Sequence, residues 1–275
     1  MAPKDDIQDI LQYYSKNAED QRYQRHQLEF ALTRKAFQAY LSAKPFKILE
    51  IGAGAGIHTE FLADSGHEVT VLEPTPTLVE SNKKRIQSQN LEDRVRWIQA
   101  DARDLAKAIP ESEKFDVILN MGPFYHLTNR EDRETVLKES LKRLGPTGLH
   151  WSVFLSRAGY VSYVLNRQPE SLMQDPEGFR DIMTQGFFSS HPRDGTFRGY
   201  FSDLQELSEL HQNCGMQIQK LHVLDPCVGG DDEVFNRLSE EQKAIWAEVL
   251  FALSPDSSFW GSGRTWLVLS QALKK

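Results

Sequence analysis

The sequence runs to 275 residues, 40% hydrophobic and 26% charged. That composition excludes collagen-like repeats and intrinsic disorder, and at about 150 residues per domain the length allows one large domain or a domain with an appendage. A formal charge of −7 argues against a nucleic-acid partner, and two cysteines without a C-x-x-C pair exclude a disulfide framework or zinc ribbon and leave two free core thiols.

The acidic start, Met1-Ala2-Pro3-Lys4-Asp5-Asp6, lacks the apolar stretch of a signal peptide, and nowhere do about 18 apolar residues run together, so a cytoplasmic protein without a membrane span is expected. Ile7, Ile10, Leu11 and Tyr14 fall on one helical face, and Leu28, Ala31, Leu32, Phe37, Tyr40 and Leu41 continue it, which predicts two amphipathic helices over residues 7–42. From Lys47 the rhythm changes. A strand, Lys47-Ile48-Leu49-Glu50-Ile51, runs into a glycine loop, a helix over Ile57 to Ala63 closes near Gly66, and a second strand covers Val69 to Leu72. Thr75-Pro76 has the form of an N-cap and first helical residue, opening a helix that reaches about Gln89. Strands are expected at Val95 to Gln99, Phe115 to Leu119 and Leu149 to Leu155. Before the last of them, Thr128-Asn129-Arg130-Glu131 has the form of a capping box, and its helix should stop near Gly145-Pro146.

Residues 156–200 break this alternation with Pro169, Pro176, Pro192 and scattered aromatics such as Tyr160, Phe179, Phe187 and Phe188, and read as an insertion over the ligand edge of the sheet. The rhythm resumes with a helix from Ser202 to about Asn213, a strand from Met216 to Leu224, a helix near Ser239 to Leu253 and a last strand, Thr265 to Leu269. Alternating strands and helices mean a parallel sheet buried on both faces. The expected fold is therefore α/β: a doubly wound, mostly parallel, seven-stranded sheet with N-terminal helices.

Glu50-Ile51-Gly52-Ala53-Gly54-Ala55-Gly56 follows a buried strand and opens a helix, where glycines let backbone amides approach an anionic ligand closely. A dinucleotide fingerprint would need glycine where Ile57 stands, and no Gly-Lys-Ser/Thr follows for a phosphate loop. What remains is an E-x-G-x-G-x-G loop. Glu73 ends the second strand, where a carboxylate can accept both hydroxyls of a ribose, and Asp101 ends the third, placed to accept from an adenine amino group. The alternative for each is a helix cap or a surface charge.

Together with Phe115-Asp116-Val117-Ile118-Leu119 and Asp101-Ala102-Arg103, these segments resemble the class I S-adenosylmethionine-dependent methyltransferases over about residues 45 to 155. Gly122-Pro123-Phe124-Tyr125-His126-Leu127 is similar to the Gly-Pro-Leu-Tyr-His-Leu stretch after the fourth strand of a small-molecule subgroup, and Arg133 to Glu139 and Leu144 to Gly148 match its later elements, apart from Thr147 where glycine is usual. The resemblance implies a Rossmann-like fold and S-adenosylmethionine as cofactor, with contacts from Glu50, Gly52, Ala53, Gly54, Gly56, Glu73, Pro74, Asp101, Ala102, Arg103, Asn120 and Met121. The glycine loop would hold the methionine part, Glu73 the ribose, and Asp101 with Ala102 the adenine. It further implies a helical cap over 1–44, a cofactor-binding core over 45–155, a substrate-covering insertion over 156–200 and a C-terminal completion of the sheet over 201–275.

A sulfonium methyl group is already activated, so the protein must chiefly align a nucleophile with it and exclude water. Tyr125 and His126 leave the fourth strand at the ligand edge and are the candidates for positioning the acceptor and removing its proton. The alternative is that Tyr125 orders the turn and His126 caps the next helix. Tyr14, Arg22 and His191 are further candidates for contacts with a small-molecule substrate. Asn120-Met121-Gly122-Pro123 is not the Asn-Pro-Pro-aromatic motif of base-methylating enzymes, and the eight histidines show no H-x-x-x-H, so no metal is expected. A binding protein that kept the cofactor fold without turnover, or an enzyme using the cofactor for another reaction, are the competing functions.

Overall fold

The computed structural model describes residues 7–16, 19–41, 44–187, 199–228 and 232–273. Three helices rather than two precede the first strand: α1 (Ile7–Lys16), α2 (Glu19–Arg25) and α3 (Gln27–Leu41). The sequence Glu19-Asp20-Gln21-Arg22-Tyr23-Gln24-Arg25 has almost no apolar periodicity, so α2 leaves no mark of its own. The start of α3 is fixed from afar, where the Leu28 amide donates to Oδ2 of Asp232 at 3.0 Å, a contact that no local pattern reveals.

The core then alternates as expected, through β1 (Lys47–Ile51), α4 (Ile57–Asp64), β2 (Glu68–Leu72), α5 (Pro76–Ser88), β3 (Val95–Ile98), α6 (Leu105–Ala108), β4 (Phe115–Asn120), α7 (Arg130–Arg143) and β5 (Leu144–Ser156). Two boundaries move. Asn129, not Thr128, caps α7, its Oδ1 accepting from the Glu131 amide, and β5 begins at Leu144, its register shifting where Phe115 gives way to Val117 on β4. The stretch after β5 carries α8 (Arg157–Arg167), α9 (Ser171–Gln174) and α10 (Pro176–Gln185), so its described part is mostly helical. Pro176 and Gly186 are helix boundaries: Asp175 caps α10 with Pro176 in its first turn, and Gly186, in the left-handed region, ends it. The chain finishes with β6 (Phe201–Ser202), α11 (Leu204–Asn213), β7 (Met216–Val223), α12 (Glu233–Asn236), α13 (Glu240–Leu253) and β8 (Thr265–Ala272).

The strands form one sheet in the order β3-β2-β1-β4-β5-β8-β7, with the two-residue β6 beside the end of β5. β1 to β5 are parallel, and β8 runs antiparallel to both its neighbours. One apolar layer packs α3 and α13 on the sheet, with Phe37 stacked on Trp151 at 5.5 Å, and the opposite layer gathers Phe124, Leu137, Phe154 and Leu210. Strand order reverses between β1 and β4, which opens a crevice at their carboxyl ends. Cys214 is buried but Cys227 is exposed, so one thiol is in the core and not two, as a turn at φ 68 carries Cys227 outward. No described helix is long and apolar enough to cross a membrane.

Candidate active site

The crevice is a cleft of about 1060 Å³ counted with its open mouth. Glu50 ends β1 fully buried, because both neighbouring strands cover it: its register partners are Val71 and Leu119. Its Oε2 accepts from the Thr59 hydroxyl at 2.6 Å, whereas its Oε1 has no partner. Burial pushes the Glu50 carboxyl up to about 8, against the Thr59 bond and with help from the like charge of Glu73. The loop then turns through Gly52 at φ 73, where a Cβ would sit 2.7 Å from Cδ of Pro123, so the loop touches the turn that follows β4.

Glu73 is buried beyond β2 and is oriented by two backbone amides, accepting from Gly54 on Oε2 and from Thr75 on Oε1, both at 3.0 Å. Asp101 is engaged by Arg103, whose amide and Nε donate to Oδ1 at 2.8 and 3.0 Å and whose Nη2 donates to Oδ2 at 2.8 Å. Hydrogen bonding to Asp101 and the nearby Asp132 hold the Arg103 guanidinium charged.

Across the cleft, β4 runs into a tight turn, Pro123–Tyr125, anchored by Phe124, which stacks on Phe154 in the layer behind. Tyr125 and His126 are left against the cleft. His126 does not cap α7; its Nε2 meets the Tyr14 hydroxyl at 2.5 Å, and the two rings lie edge to face. The carbonyl of Tyr125 accepts from the Tyr200 amide at 2.7 Å, and buried Arg133, 3.6 Å from the Tyr200 ring, donates to the carbonyls of Leu127 and Thr128. The chain just after residues 188–198 is thus tied to this turn.

The cleft collects Glu50 to Gly54, Glu73, Pro74, Asp101 to Arg103, Met121, Tyr125 and His126, with Tyr14 and Arg22 from the N-terminal helices. Two predicted residues do not line it. Gly56 turns its Cα toward Asn82, whose Cγ would lie 2.6 Å from an added Cβ, so its smallness makes room for a side chain of α5. Asn120 is buried beneath the site, where its Nδ2 lies 3.0 Å from Nε2 of His150 and 3.4 Å from Oγ of Ser140. Side chains alternate along β4, so a strand-end position alone does not tell which face a residue takes. His191 falls outside the described residues. The sequence reading missed Glu29, Phe30 and His58. Arg22 pairs with Glu29 at 2.5 Å, and although burial works to raise that carboxyl, Arg22 and further cations hold it below its ordinary value. His58, packed between Phe30 and Phe37, is pushed down to about 3 by burial and by Arg22. No spacing in the sequence joins Glu29 and Phe30 to His58, which meets them only because α3 lies across α4.

Residues 48–148 match a family model described as a methyltransferase domain. A ubiquinone biosynthesis O-methyltransferase of Bartonella tribocorum is 34% identical over 120 residues, which are 42% of this chain and 45% of that protein, so the match spans less than half of the relative. Among solved structures, a methyltransferase from Methanosarcina mazei described as S-adenosylmethionine-dependent superposes with a TM-score of 0.58 at 16% identity, over 87% of this chain and 98% of that one. The glycopeptide N-methyltransferase MtfA, solved with S-adenosylmethionine, gives 0.54 at 15% identity over 88% and 93%. At these identities the likeness is one of fold, and the fold is that of the Rossmann-like methyltransferases.

Proposed function

We propose that the chain is an S-adenosylmethionine-dependent methyltransferase acting on an oxygen, nitrogen or sulfur nucleophile of a small organic acceptor, within the subgroup marked by Gly122 to Leu127. One observation carries the reading: the glycine loop and three strand-end acids, Glu50, Glu73 and Asp101, converge on a single cleft whose facing wall is the Tyr125-His126 turn. The match of residues 48–148 to a methyltransferase domain supports it.

The residues fit that cofactor. The unpartnered Oε1 of Glu50 is an acceptor at the cleft wall for an ammonium group. Glu73, already oriented by two amides, keeps lone pairs for two ribose hydroxyls. Asp101 does the same for an adenine amino group while Arg103 fixes its plane. Bound there, S-adenosylmethionine supplies an activated methyl group. The chain's own work is to align the acceptor at about 3–3.5 Å and exclude water. Tyr125 forms the wall at that point, His126 removes the acceptor's proton, and Tyr14 orients the imidazole through its bond to Nε2. Arg22 and Glu29 offer opposite charges to polar substituents of the acceptor. Residues 156–200 serve as the acceptor's cover.

Incubating the protein with S-adenosylmethionine and a metabolite pool should release S-adenosylhomocysteine. Cofactor binding without any release would leave a binding protein, and equal or tighter binding of NAD would overturn the cofactor assignment.

A further inference from the structure

Four buried or half-buried side chains form a directed chain of hydrogen bonds that begins on the far side of α5 and ends at the cleft. Trp97 of β3 donates from Nε1 to Oδ1 of Asn82 at 3.0 Å, Asn82 of α5 donates from Nδ2 to Oγ1 of Thr59 at 3.0 Å, and Thr59 of α4 donates to Oε2 of Glu50 at 2.6 Å. Thr59, Asn82 and Glu50 are fully buried. The direction is forced at the first link. An indole N–H only donates, so the amide oxygen of Asn82 must face it and the amide nitrogen must face Thr59. The Thr59 oxygen accepts from Asn82 and its single proton is directed at Oε2 of Glu50. A proton on Oε2 of Glu50 would leave the Thr59 hydroxyl proton buried without a partner. A protonated Glu50 therefore carries its proton on Oε1, the unpartnered oxygen of a residue that lines the cleft.

We propose that Asn82 and Trp97, neither of which lines the cleft, are positioning residues for cofactor capture: through Thr59 they hold the Glu50 proton on Oε1, and a bound amino-acid ammonium group displaces that proton to solvent. The inference rests on S-adenosylmethionine being the cofactor. The balance is simple: one O–H bond is lost to water, and one carboxylate–ammonium contact forms. The surroundings favour the protonated starting state. Val71 of β2 and Leu119 of β4 flank Glu50, α4 and α5 present the neutral Thr59 and Asn82, and the charged group acting on it is Glu73, of like sign. Burial with that neighbour places the carboxyl at about 8. Asn82 also fills the space left by Gly56, so the same side chain sets the bonding pattern and the shape of the loop.

Calorimetric titration with S-adenosylhomocysteine, in buffers of different ionisation enthalpy, counts the protons released on binding. Wild-type protein should release about one proton per ligand at about pH 6.5, the release fading as pH rises through about 8. In Thr59→Val and Trp97→Phe the bond to Oε2 is lost or free to turn away, so the pH at which release fades should rise by about one unit, whereas Thr59→Ser should behave as wild type. Trp97 is partly exposed, which keeps one informative variant at a site tolerant of change. Tight binding without proton release, or the same profile in Thr59→Val and Trp97→Phe as in wild type, would overturn the positioning role while leaving the cofactor assignment standing. A folded wild-type protein that binds no S-adenosylhomocysteine would overturn both.

Discussion

Glu73 holds two backbone amides, which makes the proposed ribose acceptor also a brace for the glycine loop. Glu73→Ala should therefore weaken S-adenosylhomocysteine binding by about 1.5–3 kcal/mol, roughly 10- to 150-fold. Glu73→Gln should not be mild, because either orientation of the amide sets an N–H₂ group against the N–H of Gly54 or Thr75; affinity near wild type in calorimetry would show the brace to be unimportant. Tyr14 and His126 give a second test. Tyr14→Phe keeps the ring contact and removes the bond to Nε2, and His126→Ala removes the proposed proton acceptor. Once an acceptor is identified, His126→Ala should lower turnover at least tenfold, about 1.4 kcal/mol in the barrier, with cofactor affinity changed much less. Parallel loss of both would assign His126 to the cofactor site or to folding. At Glu50 the two roles oppose each other. Its folded-state value lies above its ordinary one, so its contribution to stability is complete below about 4.5 and is lost as pH rises through about 8. Glu50→Gln should accordingly raise the melting temperature of the ligand-free protein at pH 8 by more than it does at pH 5, about 2 °C for each ~1 kcal/mol in a chain this long.

Helix α13 carries a complete capping box, with Ser239 Oγ accepting from the Gln242 amide and the Gln242 side chain accepting from the Ser239 amide. Ser239→Ala should cost about 0.5–2 kcal/mol, which thermal denaturation will register as a drop of a few degrees. The span of α13 near Ser239 to Leu253, the Pro76 start of α5 and the strands of the core were legible because their signals are local: an apolar helical face, a proline at the first turn, a short apolar run. The boundary between α2 and α3 was not, since Asp232, far along the chain, fixes it. The helices after β5 were hidden by punctuation. Pro176 was read as a break in regular structure, although it opens α10, which Gly186 ends. The same division holds within the site. Glu50, Glu73 and Asp101 were found because they end strands, but Asn120 ends a strand too and faces the opposite layer, while Glu29 and His58 enter the cleft through helix packing that no single segment encodes.

Five histidines, His26, His58, His150, His211 and His222, are pushed by burial down to about 4, 3, 3, 4 and 4, which makes the whole molecule sensitive to acid. Below their ordinary value of 6.5 the unfolded chain binds the protons that the folded chain refuses, so their stabilisation is full above about pH 6.5 and is lost as pH falls toward 3. Glu50, Asp225 and Asp232, raised by burial to about 8, 6 and 7, act in the opposite sense. The histidines outnumber the acids, so the melting temperature should fall between pH 6.5 and 4.5; a flat or rising profile would mean that these imidazoles open to water without cost. The close fit of Gly52 against Pro123 bears on traffic rather than on stability. With no room there for one methyl group, the glycine loop and the acceptor turn form a floor that does not part without a backbone shift. Exchange of a molecule the size of the cofactor then falls to the side closed by α1, where Tyr14 reaches His126. The catch on that door is the same bond that orients the imidazole proposed as proton acceptor, so in that proposal fast release and precise alignment draw on one contact, and the dissociation rate of S-adenosylhomocysteine from Tyr14→Phe measures how the protein has divided it between them.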